Sequence, residues 1–218
     1  MTDQADMLLH GFFRSSAAWR VRIALRIKGL ACRQAAYNLR AGDQRAAAYT
    51  ALNPQGLVPA LEVPGQGVLT QSLAILEWLE ETHPLPALLP PDPWSRARVR
   101  ALAQIIASDT HPLQNLRVLQ YLKREYGQEQ AGIDAFARAW IEPGLAAFEA
   151  RLAEPGTGRF CHGDAPGLAD LCLIPQLGNA RRFGTDLAAY PTVLRIEAAC
   201  MDLSAFRDTA PENQPDAV

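Results

Sequence analysis

Three short pairs carry the residue types best suited to holding a ligand: Ser15-Ser16, Val58-Pro59 and Gln71-Ser72. In "FFRSSAAWRVRIAL" the serines stand where an apolar run gives way to a helical pattern. A serine there either caps the helix through its oxygen or helps hold an anion, because free amides and a partial positive charge gather at a helix start. Ser72 stands in the same relation to "LAILEWLEE". Proline opening a strand has no amide to donate, so Pro59 suits an edge or a cis bend. A cis bend turns the Val58 backbone outward to pair with an extended peptide; the plain alternative is a turn before a strand. All three pairs fall where strands end and helices begin, the place where open α/β sheets bind ligands. Together they point to a peptide-like anionic ligand with its carboxylate at Ser72, its backbone against Val58 and its reactive end near Ser15.

The elements that position these pairs follow from periodicity. "MLLHGFF" reads as a buried strand. Trp19, Ile23 and Ile27 share one face of a helix that Gly29 stops. "CRQAAYNL" is a second strand, and "DQRAAAYTALN" a short helix ended by Asn53-Pro54. "VPALEV" and "GVLT" form a hairpin across Pro64-Gly65, and "QSLAILEWLEETH" an amphipathic helix ending before Pro84. This order predicts an α/β domain over residues 1–84. The proline-dense "PLPALLPPDP" serves as linker, 85–93. Residues 94–218 read as all-helical: 94–126 interrupted at Pro112, 128–152 bent or broken at Pro143, 168–183 and 192–201, with an irregular polar tail. Trp19, Trp78, Trp94 and Trp140 are expected in packing.

Composition narrows the function classes. The 218 residues are 49% hydrophobic and 20% charged, which fits a folded globular chain. A net charge of -2 gives no support for a nucleic-acid or membrane-surface partner. No apolar run approaches the roughly 18 residues of a membrane span, and the polar, acidic "MTDQAD" is not a signal peptide. Cys32, Cys161, Cys172 and Cys200 lack chelating spacing, so no metal site is expected and the thiols read as reduced in a cytoplasmic protein.

Six stretches, "RSSAAWRVRIALRIKGL", "ALNPQGLVPAL", "QSLAILEWLEE", "HPLQNLRVL", "HGDAPGLADLCLIPQLGNARRF" and the closing "QPD", resemble the zeta class of glutathione transferases, the family of glutathione-dependent maleylacetoacetate isomerases. The resemblance runs in order from about Leu8 to Asp216. It implies a thioredoxin-like N-terminal domain, an all-α C-terminal domain, a homodimer and glutathione as cofactor. Ser15 matches the serine that faces the glutathione sulfur, and Ser16 its neighbour. Gln44, Val58, Pro59, Gln71 and Ser72 match glutathione-holding positions, as do His111 and Asn115, although His111 stands where relatives have glutamine. Arg182 matches an arginine associated with the carboxylate of an acidic substrate.

The implied reaction isomerises an unsaturated keto dicarboxylate, maleylacetoacetate, in tyrosine and phenylalanine breakdown. A thiolate adds to the double bond, the resulting single bond rotates, and the thiolate leaves. A thiol of pKa ~8.5 is only a few per cent ionised at neutral pH, so a hydroxyl donor and a helix start that lower it by one or two units are worth about 1.4 to 2.7 kcal/mol. Addition also pushes charge onto a carbonyl oxygen. Arg14 and Arg182 are the candidates for the substrate's carboxylates and carbonyl end. Each functional assignment has a structural counterpart: Arg14 as a loop arginine, His111-Pro112 as a helix kink, Asp170 as a cap. Zeta-class chains commonly carry cysteine where this one has Ala17. Addition and elimination need no protein thiol, whereas reactions through a mixed disulfide with the enzyme do. The alternatives are a maleylpyruvate isomerase of gentisate degradation, against which Leu116 counts, and a non-catalytic interaction protein of the same fold.

Overall fold

The computed structural model describes residues 7–217; the predicted domain ends, residues 1–6 and 218, lie outside the described residues. The chain divides into two compact units, residues 7–88 with 202–217, and residues 89–201.

The first unit is built on a four-stranded sheet of order β2-β1-β3-β4, with β1 Leu8–Gly11, β2 Arg33–Ala36, β3 Ala60–Val63 and β4 Gly67–Thr70. β1 and β2 run parallel, joined by α1 Ser16–Ile27; β3 is antiparallel to both β1 and β4. A parallel pair requires such a crossover, whereas β3 and β4 close through a tight hairpin. α2 Ala47–Leu52 precedes β3, and α3 Ser72–Thr82 follows β4. α1 and α3 pack side by side. Their apolar stripes, including Val21, Ile23, Ile75, Leu76 and Leu79, are buried, as are the paired strand residues Leu9 and Leu61. Each buried side chain of that size contributes about 1.5 to 3 kcal/mol. Lys28 donates to Glu80 at 2.9 Å and to the carbonyls of His83 and Pro86, which pins the proline-rich segment after α3.

The second unit contains α4 Pro93–Gln104, α5 Leu116–Tyr126, α6 Gln130–Leu152, α7 Leu168–Arg182 and α8 Pro191–Met201. The interruption expected at Pro112 is a widened π turn, Ile105–Thr110, followed by the 3-10 turn His111–Gln114. Proline cannot donate its missing amide, and the backbone re-registers around it. Pro143 does not end α6. Ile133, Ala137, Ile141, Leu145, Phe148 and Leu152 form one buried stripe on both sides of it, and that packing outweighs the local cost of about 3 kcal/mol. Gly144 is required beside it, because a Cβ there would lie 2.2 Å from Thr110 Oγ1.

Three expectations need correction. The tail belongs with the first unit, not with the helical one. Phe13 N donates to Asp216 at 2.9 Å, Trp19 Nε1 to Thr209 Oγ1 at 3.1 Å, and Arg22 to the Thr209 carbonyl at 3.2 Å. These polar anchors follow no periodicity, which is why the tail reads as merely irregular. Just before that tail stands a short helix that the sequence reading did not assign, α9 Ser204–Arg207. Finally, Trp94 and Trp140 are exposed, at 83% and 45%. Trp94 lies five residues before buried Val99, about 140° around the helix from the stripe it was expected to join.

Candidate active site

The β1–α1 junction places Ser15. Its backbone is extended, and its Oγ accepts the Ala18 amide at 3.2 Å, so it is the N-cap of α1. The cap uses a lone pair of the hydroxyl and leaves its proton available for donation. Ser16 is buried in the first turn. Arg22, buried within α1, donates to the Phe13 carbonyl at 2.9 Å, while Asp216 holds the Phe13 amide. Burial drives the Arg22 pKa down to about 10, partly opposed by Asp216. The loop that carries Ser15 is therefore fixed from both sides.

Arg14 extends beside this loop, its guanidinium 6.0 Å from the Phe13 ring centroid. Its pKa is lowered by burial and then by the like charge of Arg40. The β1–β2 register explains this proximity: Gly11 pairs with Ala36, and the two arginines lie just beyond these parallel strand ends. Neither arginine has a carboxylate partner among the described residues. Two such cations form a field that attracts anions.

The Val58-Pro59 bond is cis, one of the alternatives that the dipeptide alone left open. The Val58 N–H and C=O have no hydrogen-bond partner among the described residues, since β3 pairing begins only at Ala60. Gln71 has φ 69, an uncommon conformation for a non-glycine residue. It is the N-cap of α3 yet makes no side-chain cap bond, so the first-turn amides of α3 are uncapped. Its Nε2 instead donates to Gln55 Oε1 at 2.7 Å. Ser72 is buried and accepts from Arg20 Nη1 at 3.2 Å, which brings a buried guanidinium to the same helix start. Gln44 is buried, its Nε2 turned to the Leu39 carbonyl at 3.4 Å. Gly56, at φ +59, is packed so closely that a Cβ would meet the Gln44 carbonyl oxygen at 3.1 Å.

The remaining predicted residues lie in the helical unit. His111 opens the 3-10 turn, and Asn115 caps α5 by accepting the Arg117 amide at 3.1 Å. Asn179 donates to Gln114, tying α7 to this turn, and Arg182 follows one turn later on α7 with its guanidinium 4.5 Å from the Phe183 ring. Its neighbour Arg181 points elsewhere, paired with Glu197. Asp170 is structural: its buried carboxylate accepts the Cys161 and Gly167 amides at 2.9 and 2.8 Å. The reciprocal half of a capping box is missing because Gly167 has no side chain.

Ala17 places no thiol beside Ser15. Cys32, the one cysteine of the first unit, precedes β2, at the opposite end of the strands from Ser15. Burial lifts its pKa to about 11. Sequence reasoning missed Arg20 and Arg40. The α1 pattern "WRVRIAL" does contain the signal for the first, an arginine at an inward helical position.

Comparison with known proteins places the chain in a family. Residues 14–82 match the family "Glutathione S-transferase, N-terminal domain", and residues 130–212 match "Glutathione S-transferase, C-terminal domain". The chain is 49% identical to the maleylpyruvate isomerase of a Ralstonia species, over 97% of this chain and 100% of that one. It is 46% identical to the maleylacetoacetate isomerase of Rhizobium meliloti, over 95% and 97% of the two chains. The maleylacetoacetate isomerase of Methylobacterium extorquens AM1, solved with bound malonate and GSH, superposes with a TM-score of 0.94 at 48% identity, over 97% of this chain and 99% of that one. The chain belongs to the zeta-class glutathione transferases, the family of the maleylacetoacetate isomerases.

Proposed function

We propose that the chain is a glutathione-dependent cis-trans isomerase that converts maleylacetoacetate to fumarylacetoacetate, with secondary glutathione transferase activity. The observation that carries this reading is the Val58 peptide, whose N–H and C=O are both open. It lies in the same unit as Ser15 and the uncapped start of α3. These groups fit a γ-glutamyl tripeptide: backbone pairing at Val58, carboxylate recognition at Gln71 and Ser72, and a hydroxyl donor for sulfur. The relative solved with GSH and malonate supports the pairing of this cofactor with an acidic substrate.

When bound, glutathione supplies the thiolate that adds to the double bond and departs after rotation. Ser15 donates its hydroxyl proton to the sulfur while remaining the cap of α1. Ser16 supports that turn, and Pro59 fixes the frame behind Val58. Gln44 adds a further cofactor contact, and the family resemblance assigns the same role to His111 and Asn115. Arg14 and Arg182 bind the carboxylates and carbonyl end of the substrate, stabilising charge as it develops on oxygen. The assembly is a homodimer in the cytoplasm.

The second reading, maleylpyruvate isomerase, is favoured by the 49% identity to the Ralstonia enzyme of that name. A comparison of kcat/KM for the two substrates with glutathione present separates them: the proposal expects the higher value with maleylacetoacetate, and a preference for maleylpyruvate replaces it. Absence of turnover and of retention on a glutathione resin would leave a non-catalytic interaction protein.

A further inference from the structure

One carbonyl beside the proposed cofactor site is held unusually firmly. Leu57 O accepts from Tyr49 Oη at 2.6 Å and from Asn53 Nδ2 at 2.6 Å, so two donors converge on one oxygen. Both donors are buried, at 1% and 3% exposure. Tyr49 reaches up from α2, its ring 4.5 Å from that of Tyr37, which in turn bonds His10 of β1 at 2.9 Å. Asn53 ends α2 and also accepts the Gln55 amide at 3.1 Å, and Gln55 Oε1 receives Gln71 Nε2. One network thus joins the sheet, α2, the turn before β3 and the residue that opens α3.

The geometry of a peptide unit gives this network a consequence. The Leu57-Val58 bond is not among the cis bonds, so its C=O and N–H point in opposite directions within one plane. Directing the Leu57 oxygen toward two buried donors therefore directs the Val58 N–H the other way, where it has no partner among the described residues. Burial raises the Tyr49 pKa to about 12, so the phenol remains a donor throughout the neutral range.

We propose that Tyr49 and Asn53 are positioning residues: by fixing the Leu57 carbonyl they aim the Val58 N–H at a carbonyl of bound glutathione. This inference rests on the glutathione-binding reading above. Neither residue touches the ligand, and their effect passes through the planarity of one peptide bond.

The test compares glutathione with its analogue in which the cysteinyl-glycine carbonyl is a thiocarbonyl, a weaker acceptor. Binding is measured by calorimetry to the full chain. The wild type should prefer glutathione by roughly five- to tenfold, the worth of one hydrogen bond. Tyr49→Phe keeps the ring packing, and Tyr49→Phe/Asn53→Ala removes both donors. The preference should shrink in the first and fall to about twofold or less in the second. Both variants holding the wild-type preference would assign Tyr49 and Asn53 to loop stability alone and overturn the inference. A wild type that binds neither compound overturns the glutathione reading itself, and this inference with it.

Discussion

Ser15 has two separable roles, and replacing it by alanine and by aspartate distinguishes them. The structure shows its oxygen accepting the Ala18 amide at 3.2 Å; the proposal adds that its proton is donated to the glutathione sulfur. Ser15→Ala removes both. Loss of an N-cap costs about 1 kcal/mol, within a range of roughly 0.5 to 2. Loss of a hydrogen bond to a charged acceptor costs about 1.5 to 3 kcal/mol, which at 1.36 kcal/mol per unit raises the thiol pKa by about one to two units. The positive end of α1 remains, so part of the original depression survives. Ser15→Asp keeps an acceptor for the Ala18 amide, and aspartate caps as well as serine. It has no proton to donate at neutral pH and adds a negative charge beside the sulfur. The aspartate variant should therefore unfold in urea near the wild-type midpoint while raising the thiol pKa at least as far as alanine does. Thiolate absorbance of bound glutathione against pH reads the second quantity. A wild-type titration in both variants would refute the donor role and leave Ser15 as a helix cap.

Arg182→Ala should lower kcat/KM for dicarboxylate substrates by at least about tenfold more than for neutral electrophiles, because only the former lose a charge-assisted contact; steady-state kinetics on both classes checks this, and equal losses count against the role. Lys28→Met should cost roughly 3 to 5 kcal/mol in urea unfolding, since it removes the cation paired with buried Glu80 and frees two carbonyls of the segment after α3; a cost below about 1 kcal/mol would mean the pair contributes little. Asp216→Ala removes the acceptor for the Phe13 amide and should destabilise the first unit by about 1 to 2 kcal/mol. Because Phe13 lies two residues before Ser15, it should also raise the KM for glutathione, and an unchanged KM would separate the tail from the site.

What the sequence revealed depended on whether the cause was local. Apolar runs, helical spacing and turn residues located β1, α1, the β3–β4 hairpin and α3. Proline at 59 marked a position whose backbone chemistry is written in the residue itself, whereas Ser72, which read as a helix cap, is the first residue of α3 and Gln71 takes the N-cap position before it. The tail was different: Asp216, Thr209 and Gln214 hold the first unit through single hydrogen bonds to residues some 180 or more positions away, and no pattern along the chain records such a partner. Tyr49 and Asn53 were hidden for the same reason, having read as part of a short helix and its stop. At Pro143, where a bend or a break was open, the helix continues, since the local penalty is real but smaller than the burial of the stripe it interrupts. Ala17 is the informative case between these extremes. A small residue gives no periodic signal, yet its identity removes the thiol that the family commonly carries beside Ser15. With Cys32 at the far end of the strands, no cysteine thiol among the described residues of the first unit stands at that helix start. An addition and elimination reaction tolerates that loss, whereas a reaction through an enzyme disulfide does not, so Ala17 narrows the chemistry more than the better conspicuous residues around it.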